Sequence, residues 1–329
     1  MRGREYSARF KFSPNSPTVE TVGEFGLIDL LRRMVPSGRL VRAGIGDDAA
    51  VLDSGKKGTY LLFTTDAILE NVHFLRSEGA ERIGRKALAV NLSDVAAMGG
   101  YPLWAVVNLG LPRRTPLALV KGLYRGMAAL AREFSVGIVG GDTVYSPGGI
   151  MLAAAVIGEV EKEKCVFRRG ARAGDAVCVT GKLGEAAKGK HLDFTPRVRE
   201  ARFLVERFSP TAMIDLSDGL FADLKKLGAA GGIGAIVREE ALPLAPSAAR
   251  KPREAKLLAA GGGEEFELLF TLPERELPRL LKVFPKATGT RATAIGRIVK
   301  NPRCFHTVDR SGVARPFPEE GYDHFETIV

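Results

Sequence analysis

Short apolar runs and long amphipathic stretches take turns along almost the whole chain, and this alternation leaves few folds open. Runs at 49–52, 60–64, 104–109, 136–139 and 151–160 have the length and branching of buried strands. Between them, 81–98 and 116–134 repeat apolar residues at helical spacing, and Gly99-Gly100 stops the first of these. Thr21 and Glu24 have capping-box spacing, so a further helix is expected to start there and to carry Phe25, Ile28 and Leu31 on one face. The charged run 161–164 interrupts the apolar pattern. After it, strands are expected at 176–180, 212–214, 235–237, 268–271 and, as the last one, 294–299, with helices at 200–208, 221–230 and 274–283. The pattern predicts a mixed α/β chain of two units, 1–160 and 161–329, in keeping with ~150 residues per domain for a chain of 329 residues.

Composition matters where it removes alternatives. Three cysteines (Cys165, Cys178, Cys304) are too few and too scattered for a disulfide framework or a CxxC metal site, which points to a reducing, cytosolic compartment. The four histidines, His73, His191, His306 and His324, have no metal-pair spacing. Residues 1–17 lack the apolar core of a secretion signal, and the uncharged run 95–112 is broken by Gly99, Gly100 and Pro102, so no membrane span is expected. The net charge of +10 suits a polyanionic partner. Nucleic acid is not the expected one: there is no aromatic–basic interleaving, helix-turn-helix or zinc module.

The informative feature is the setting of the carboxylates. Many lie in Gly-, Ser- or Thr-rich breaks expected to follow strands: Asp47-Asp48, Thr64-Thr65-Asp66, Gly140-Gly141-Asp142-Thr143, Asp215-Leu216-Ser217-Asp218-Gly219 and Gly263-Glu264-Glu265. Asn91-Leu92-Ser93-Asp94 adds one inside a helix. Ligands gather at strand ends in α/β sheets, and massed carboxylates repel one another unless cations neutralise them. Oxygen donors with little His or Cys suit Mg²⁺, which brings phosphates with it. Each motif alone has a plainer reading; Ser217-Asp218, for example, suits the N-cap of the helix at 221–230. The segment Gly184 to His191 nearly spells a phosphate-binding P-loop, but His191 stands where a hydroxyl must reach Mg²⁺, so it reads as a helix end with a glycine stop.

In order, these motifs resemble the thiamine-monophosphate kinase family, part of the superfamily that includes aminoimidazole ribonucleotide synthetase and selenophosphate synthetase. The stretches carrying the resemblance are Thr65-Asp66 to His73-Phe74, Asn91 to Gly99, Gly140 to Thr143, Asp215 to Leu220, and the ending Gly321-Tyr322-Asp323-His324-Phe325. The resemblance implies a two-domain fold whose amino-terminal domain pairs with its twin in a homodimer and whose carboxy-terminal domain closes over ATP. It implies ATP-dependent phosphorylation of thiamine monophosphate to thiamine diphosphate with several Mg²⁺ ions. By position it implies Asp48, Thr64, Thr65, Asp66, Asp94, Asp142, Asp215 and Asp218 as metal ligands. Gly141, Asp142, Arg168 (or its neighbour Arg169) and Ser217 are implied as ATP contacts, and His73, Glu264 and Tyr322 as contacts to thiamine monophosphate. Asp142 and Asp218 are the most critical of the set. The family commonly has Asp and Tyr where this chain has Glu265 and Phe266.

The implied chemistry agrees with the residue types. Two polyanions must meet, and unit charges 4 Å apart repel by about 4 kcal/mol at an effective dielectric of 20. Divalent ions remove that barrier, and no protein nucleophile is required. Among relatives, selenophosphate synthetase needs a reactive Cys or selenocysteine near the amino terminus, whereas no Cys precedes Cys165. An amidine-forming ligase of the same superfamily and a non-catalytic nucleotide-binding protein stay open as alternatives.

Overall fold

A computed structural model describes residues 16–318, 322, 324 and 325. Residues 1–15 lie outside these, as do Gly321 and Asp323 of the ending that carries the resemblance. The chain forms two compact units, Met1–Pro36 with Asp323–Val329, and Ser37–Tyr322.

In the first unit, helix α1 (Val19–Met34) starts with an N-cap three residues before the expected one, Thr21. Thr18 is the N-cap: its hydroxyl accepts from the Thr21 N–H, and the Thr21 hydroxyl accepts from the Thr18 N–H. Gly23, at φ 66°, then kinks the helix just before Glu24.

The second unit holds two sheets. The first runs β1-β2-β3-β6-β4-β5, from β1 (Val41–Ala43), β2 (Ala50–Leu52), β3 (Thr59–Leu69), β4 (Tyr101–Leu111), β5 (Gly137–Tyr145) and β6 (Met151–Glu161). Its pairings are antiparallel except β4 with β5, which are parallel and joined through a helix, as a crossover requires. Two helices cover one face, α2 (Ala80–Ala97) and α3 (Leu117–Glu133). Their backbones nearly touch: a Cβ on Gly84 would lie 1.9 Å from the Leu123 carbonyl oxygen, and one on Gly126 1.8 Å from that of Glu81. Side chains alternate across a strand, so the opposite face presents Phe63, Thr65, Ala67 and Leu69 from β3 beside Trp104 and Val106 from β4. Phe63 and Trp104 are 45% and 49% exposed, too open for core residues.

The second sheet is ordered β13-β12-β9-β11-β7-β10-β8. Its strands are β7 (Asp175–Thr180), β8 (Ala212–Asp215), β9 (Gly234–Arg238), β10 (Leu268–Pro273), β11 (Ala292–Val299), β12 (Phe305–Val308) and β13 (Ala314–Pro316). Its helices are α4 (Lys190–Asp193), α5 (Val198–Arg207), α6 (Leu220–Gly231), α7 (Pro246–Ala249), α8 (Arg253–Gly261) and α9 (Leu277–Thr288). Strand β7 is buried on both faces. Val177 and Val179 pack with Leu220, Leu224 and Leu227, while Ala176 and Cys178 pack with Leu204, Leu280 and Phe284. Ala96 and Ala97, at the end of α2, belong to the latter core. One helix therefore ties the two sheets together.

The mixed α/β class agrees with the sequence pattern, but two strand ends do not. β3 continues to Leu69 and β5 to Tyr145, so Thr64-Thr65-Asp66 and Gly140 to Thr143 lie within strands rather than in breaks after them. The cause is pairing: β6 offers β3 an unbroken register from Glu161 to Met151. β11 is not the last strand, since β12 and β13 extend the sheet beyond it.

Candidate active site

Three carboxylates converge where the two sheets meet. Asp48 follows the first strand, Asp94 sits near the end of α2, and Asp215 ends β8; each offers an oxygen within 4.8 Å of the others. Two hydroxyls aim them. Thr64 donates to Asp94 Oδ2 at 2.5 Å, and Ser93 donates to Asp215 Oδ2 at 2.6 Å. Asp66 lies on the same helix-covered face of β3 as Thr64, and its N–H donates to Asn91 Oδ1 at 3.0 Å. The crowding has an electrostatic signature. Burial first, then Asp66, Asp215 and Asp48, push the Asp94 carboxyl well above its ordinary range. Burial and Asp48 do the same to Asp215. Asp47 is raised to about 6 by burial and the neighbouring Asp48. Carboxylates in this state gain from a cation among them. The donors are hard oxygens with no His or Cys, a set that fits Mg²⁺.

Cations of the chain itself flank the cluster. Arg168 donates to Asp48 from Nη2 at 2.8 Å and from Nε at 3.3 Å, and its N–H donates to Asp47 Oδ1 at 3.1 Å. Burial opposes its charge, but Asp48 and Asp47 hold it protonated. Arg169 lies over the Phe167 ring instead, 5.3 Å from its centroid, so Arg168 is the member of the pair that faces the acids. Lys226 donates to Asp218, and to Asp223 at 2.7 Å. Burial chiefly raises the Asp223 carboxyl to about 6. Asp223 also accepts the N–H groups of Asp218 and Gly219 at 3.0 and 3.1 Å. The residue capping α6 is Gly219, so the Ser217-Asp218 N-cap reading gives way to a carboxylate reaching back from inside the helix. Gly219 holds φ 108° because the next loop crosses it: a Cβ there would lie 1.9 Å from the Gly261 oxygen.

That next loop, 261–267, is anchored residue by residue. Glu264, at φ 61°, accepts from Lys86 Nζ at 2.5 Å on Oε1, and its Oε2 lies 3.2 Å from His191 Nδ1. Burial works to raise its carboxyl, but His191 and Lys86 bring it below the ordinary range. Glu265 Oε1 accepts the N–H groups of Gly184, Glu185 and Ala186 at 2.6, 2.9 and 3.2 Å, and Lys190 donates to Oε2 at 2.8 Å. The near P-loop segment is thus a nest filled by the chain's own carboxylate. As expected, glycine ends its short helical turn: Gly189 is left-handed after 186–188. Phe266 stacks on Phe194 with ring centroids 4.1 Å apart. Glu267 takes Arg197 Nη2 and Nε at 2.7 Å each.

The remaining expected residues fall in three places. His73 lies in the turn after β3; its Nδ1 accepts the Leu69 N–H at 3.1 Å, which leaves the neutral ring its proton on Nε2. Tyr322 is 39% exposed, and its N–H donates to the Asp218 carbonyl at 3.2 Å. Ser217 accepts the Glu264 N–H on its carbonyl at 2.7 Å. Thr65, Gly141 and Asp142 are set apart. Thr65 is on the opposite face of β3 from Thr64, and its hydroxyl donates to the Ala154 carbonyl at 2.9 Å. Asp142 is in register with Asn108, which pairs with Ala153, opposite Ala67: this is the open face. Asp66, Ala154, Val107 and Gly141 align on the next row, whose side chains point the other way. Within one chain the sheet therefore separates Asp142 from the three converging carboxylates. The sequence does not single out Lys86, Asp223 or Lys226, and Ser93 stands in it only within the Asn91 to Asp94 motif. Lys86 and Ser93 lie within α2 and Asp223 and Lys226 within α6, where charged and hydroxyl residues ordinarily face solvent.

Comparison with known proteins agrees with the fold. Residues 46–160 match the family described as AIR synthase related protein, N-terminal domain, and residues 172–309 match its C-terminal domain. The thiamine-monophosphate kinase of Bacillus subtilis is 32% identical over 92% of this chain and 99% of its own length. That of Salmonella typhimurium is 35% identical over 93% and 99%. A solved structure described as AaThiL complexed with AMPPCP and TMP superposes with a TM-score of 0.80 at 31% identity, covering 94% of this chain and 99% of the other. The thiamine-monophosphate kinase of Stenotrophomonas maltophilia superposes at 0.71 and 32% identity, over 89% and 98%. The chain belongs to the thiamine-monophosphate kinase family, within the AIR synthase related proteins.

Proposed function

We propose that the protein transfers the γ-phosphoryl group of ATP directly to thiamine monophosphate, giving thiamine diphosphate and ADP. The observation that carries the reading is the meeting of Asp48, Asp94 and Asp215, from both halves of a chain whose relatives bear this activity in their names. Asp48, Asp94 and Asp215 would hold Mg²⁺, with Thr64 and Asp66 beside them, and Asp218 joins on release from Lys226. Bound there, Mg²⁺ supplies charge neutralisation and alignment of the phosphate oxygens.

The chain's own groups do the rest. Thr64 and Ser93 fix the carboxylate rotamers before any ligand arrives. Arg168 offers a guanidinium to the ATP phosphates, with Ser217 as a further nucleotide contact, while Gly141 and Asp142, set apart from this cluster within one chain, would contact the nucleotide only across the proposed dimer. His73, held in the turn after β3, forms the thiamine monophosphate site together with Glu264 and Tyr322. The acceptor needs no strong base, since a phosphate monoester has its second pKa near about 6. No covalent enzyme intermediate is required, so label from γ-phosphate is not retained by the denatured protein.

Two further elements belong to the proposal. The chain divides functionally into 1–160 and 161–329, with the phosphates held between. It acts as a homodimer through the open face of the first sheet, where Phe63, Trp104, Val106 and Val139 are exposed and where Asp142 stands. Cys165, Cys178 and Cys304 are unpaired, in keeping with a cytosolic setting, and no helix among the described residues is long and apolar enough to cross a membrane. The test is incubation with ATP, MgCl₂ and thiamine monophosphate. Thiamine diphosphate and ADP are expected in equal amounts, with none from unphosphorylated thiamine. ADP appearing without thiamine diphosphate would overturn the reading.

A further inference from the structure

A lysine with no solvent exposure is a costly residue, and Lys86 is one. Its ammonium has three N–H bonds and three neighbours. It donates to the His73 carbonyl at 2.8 Å and to Glu264 Oε1 at 2.5 Å, and lies 3.0 Å from His191 Nδ1. Burial pulls its proton affinity down, and Glu264 and then Glu78 work against that. His191 closes the triangle, since its Nδ1 also lies 3.2 Å from Glu264 Oε2. A buried ion pair seldom stabilises a fold more than good apolar packing would. What this one provides is register, because its three partners come from separate segments: the turn after β3, the loop before β10 and the short helix α4.

We infer that Lys86 is a positioning residue for the acceptor substrate, setting the His73 turn and the Glu264 loop at a fixed mutual spacing. The inference rests on the reading of His73 and Glu264 as thiamine monophosphate contacts. Glu264 is well suited to being set in this way. Glu265, Phe266 and Glu267 are each tied to the second sheet or its flanking turns, so the loop can neither slide nor twist, and only the final orientation of Glu264 is left to Lys86 and His191. The near P-loop segment acquires a role here that its sequence does not suggest. Its amides and Lys190 fix Glu265, and its last residue, His191, steadies Glu264.

The test is steady-state kinetics of Lys86→Met, which keeps the length of the side chain and removes its charge. A lost charge-assisted contact raises the KM for thiamine monophosphate roughly tenfold to hundredfold, while the KM for ATP stays within about twofold. Lys86→Met combined with Glu264→Gln is expected to be no worse than the more affected single variant, because both remove the same contact. His191→Ala, in the short helix α4 where the side chain is 15% exposed, supplies the same readout at smaller amplitude should Lys86→Met not fold. An unchanged KM for thiamine monophosphate in a folded variant, an equal rise for both substrates, or simple additivity would overturn the inference. Glu264→Gln and His73→Ala separate the two levels. If neither moves the KM for thiamine monophosphate, the acceptor-site reading is at fault; if both do and Lys86→Met does not, only the positioning role fails.

Discussion

Asp94 and Asp215 are each destabilised by the company they keep, and each is oriented by a hydroxyl donated from a neighbouring residue. A site that works by holding a cation is expected to trade stability for function in this manner. Asp94→Asn or Asp215→Asn should therefore lower turnover by about a hundredfold or more while leaving the melting temperature of the metal-free protein unchanged or higher. A coupled ADP assay beside a thermal melt checks both halves of this. Asp218→Asn is expected to cost orders of magnitude in turnover too, but not to raise stability, because Asp218 is already paired with Lys226. The sequence points to Asp48, Asp94, Asp215 and Asp218 because acids beside Gly and Ser are conspicuous, and the first three converge. It did not separate Thr64 from Thr65, or Asp66 from Asp142. Which face a strand residue points to depends on register, and register is set by a partner strand far away in the chain.

At the scale of elements, the close crossing of α2 and α3 depends on Gly84 and Gly126, where carbonyl groups fill the space a side chain would need. Gly84→Ala should cost about 1–3 kcal/mol of stability, measured as a lower urea midpoint, since neither backbone can withdraw without unpacking Leu123 and Met127. A second prediction concerns the end of β6. Arg202 of α5, itself buried, donates to Glu161 at 2.8 and 2.9 Å and to the Gly99 carbonyl at 2.7 Å. Arg202, with Lys164 assisting, lowers the Glu161 carboxyl to about 2. Its folded value lies below its ordinary 4.5, so its contribution is complete above pH 4.5 and fades as pH falls toward 2. The melting temperature of Glu161→Gln should accordingly lie below wild type at pH 7, with the gap narrowing as pH is lowered from 4.5 toward 3. Helices α2 and α3 and most strands were legible from periodicity, to within a few residues. The strands that outran their apolar cores, β3 and β5, did so through pairing, and β12 and β13 are too short to leave a period.

For the molecule as a whole, the open face of the first sheet is the feature that asks for a partner. Phe63, Ile157 and Trp104 form one cross-strand row and Thr65, Ala155 and Val106 the next. The homodimer proposed through this face predicts that Trp104→Glu sediments as a monomer in sedimentation velocity, while Arg125→Glu, on the solvent side of α3, sediments as wild type does. Helix α2 has a different reach. Lys86 lies near its start, Asn91, Ser93 and Asp94 two turns on, and Ala96 and Ala97 at its end inside the second core. The eight steps from Lys86 to Asp94 span about 12 Å along the axis at 1.5 Å each. On the reading proposed above, the helix would serve as a gauge rod, with the station for the recipient molecule and the station for the ions machined on one rigid bar. Their separation would then be settled when the chain folds, and a recipient whose reactive oxygen sits nearer to or farther from its recognised end is expected to be refused by length before any chemistry begins.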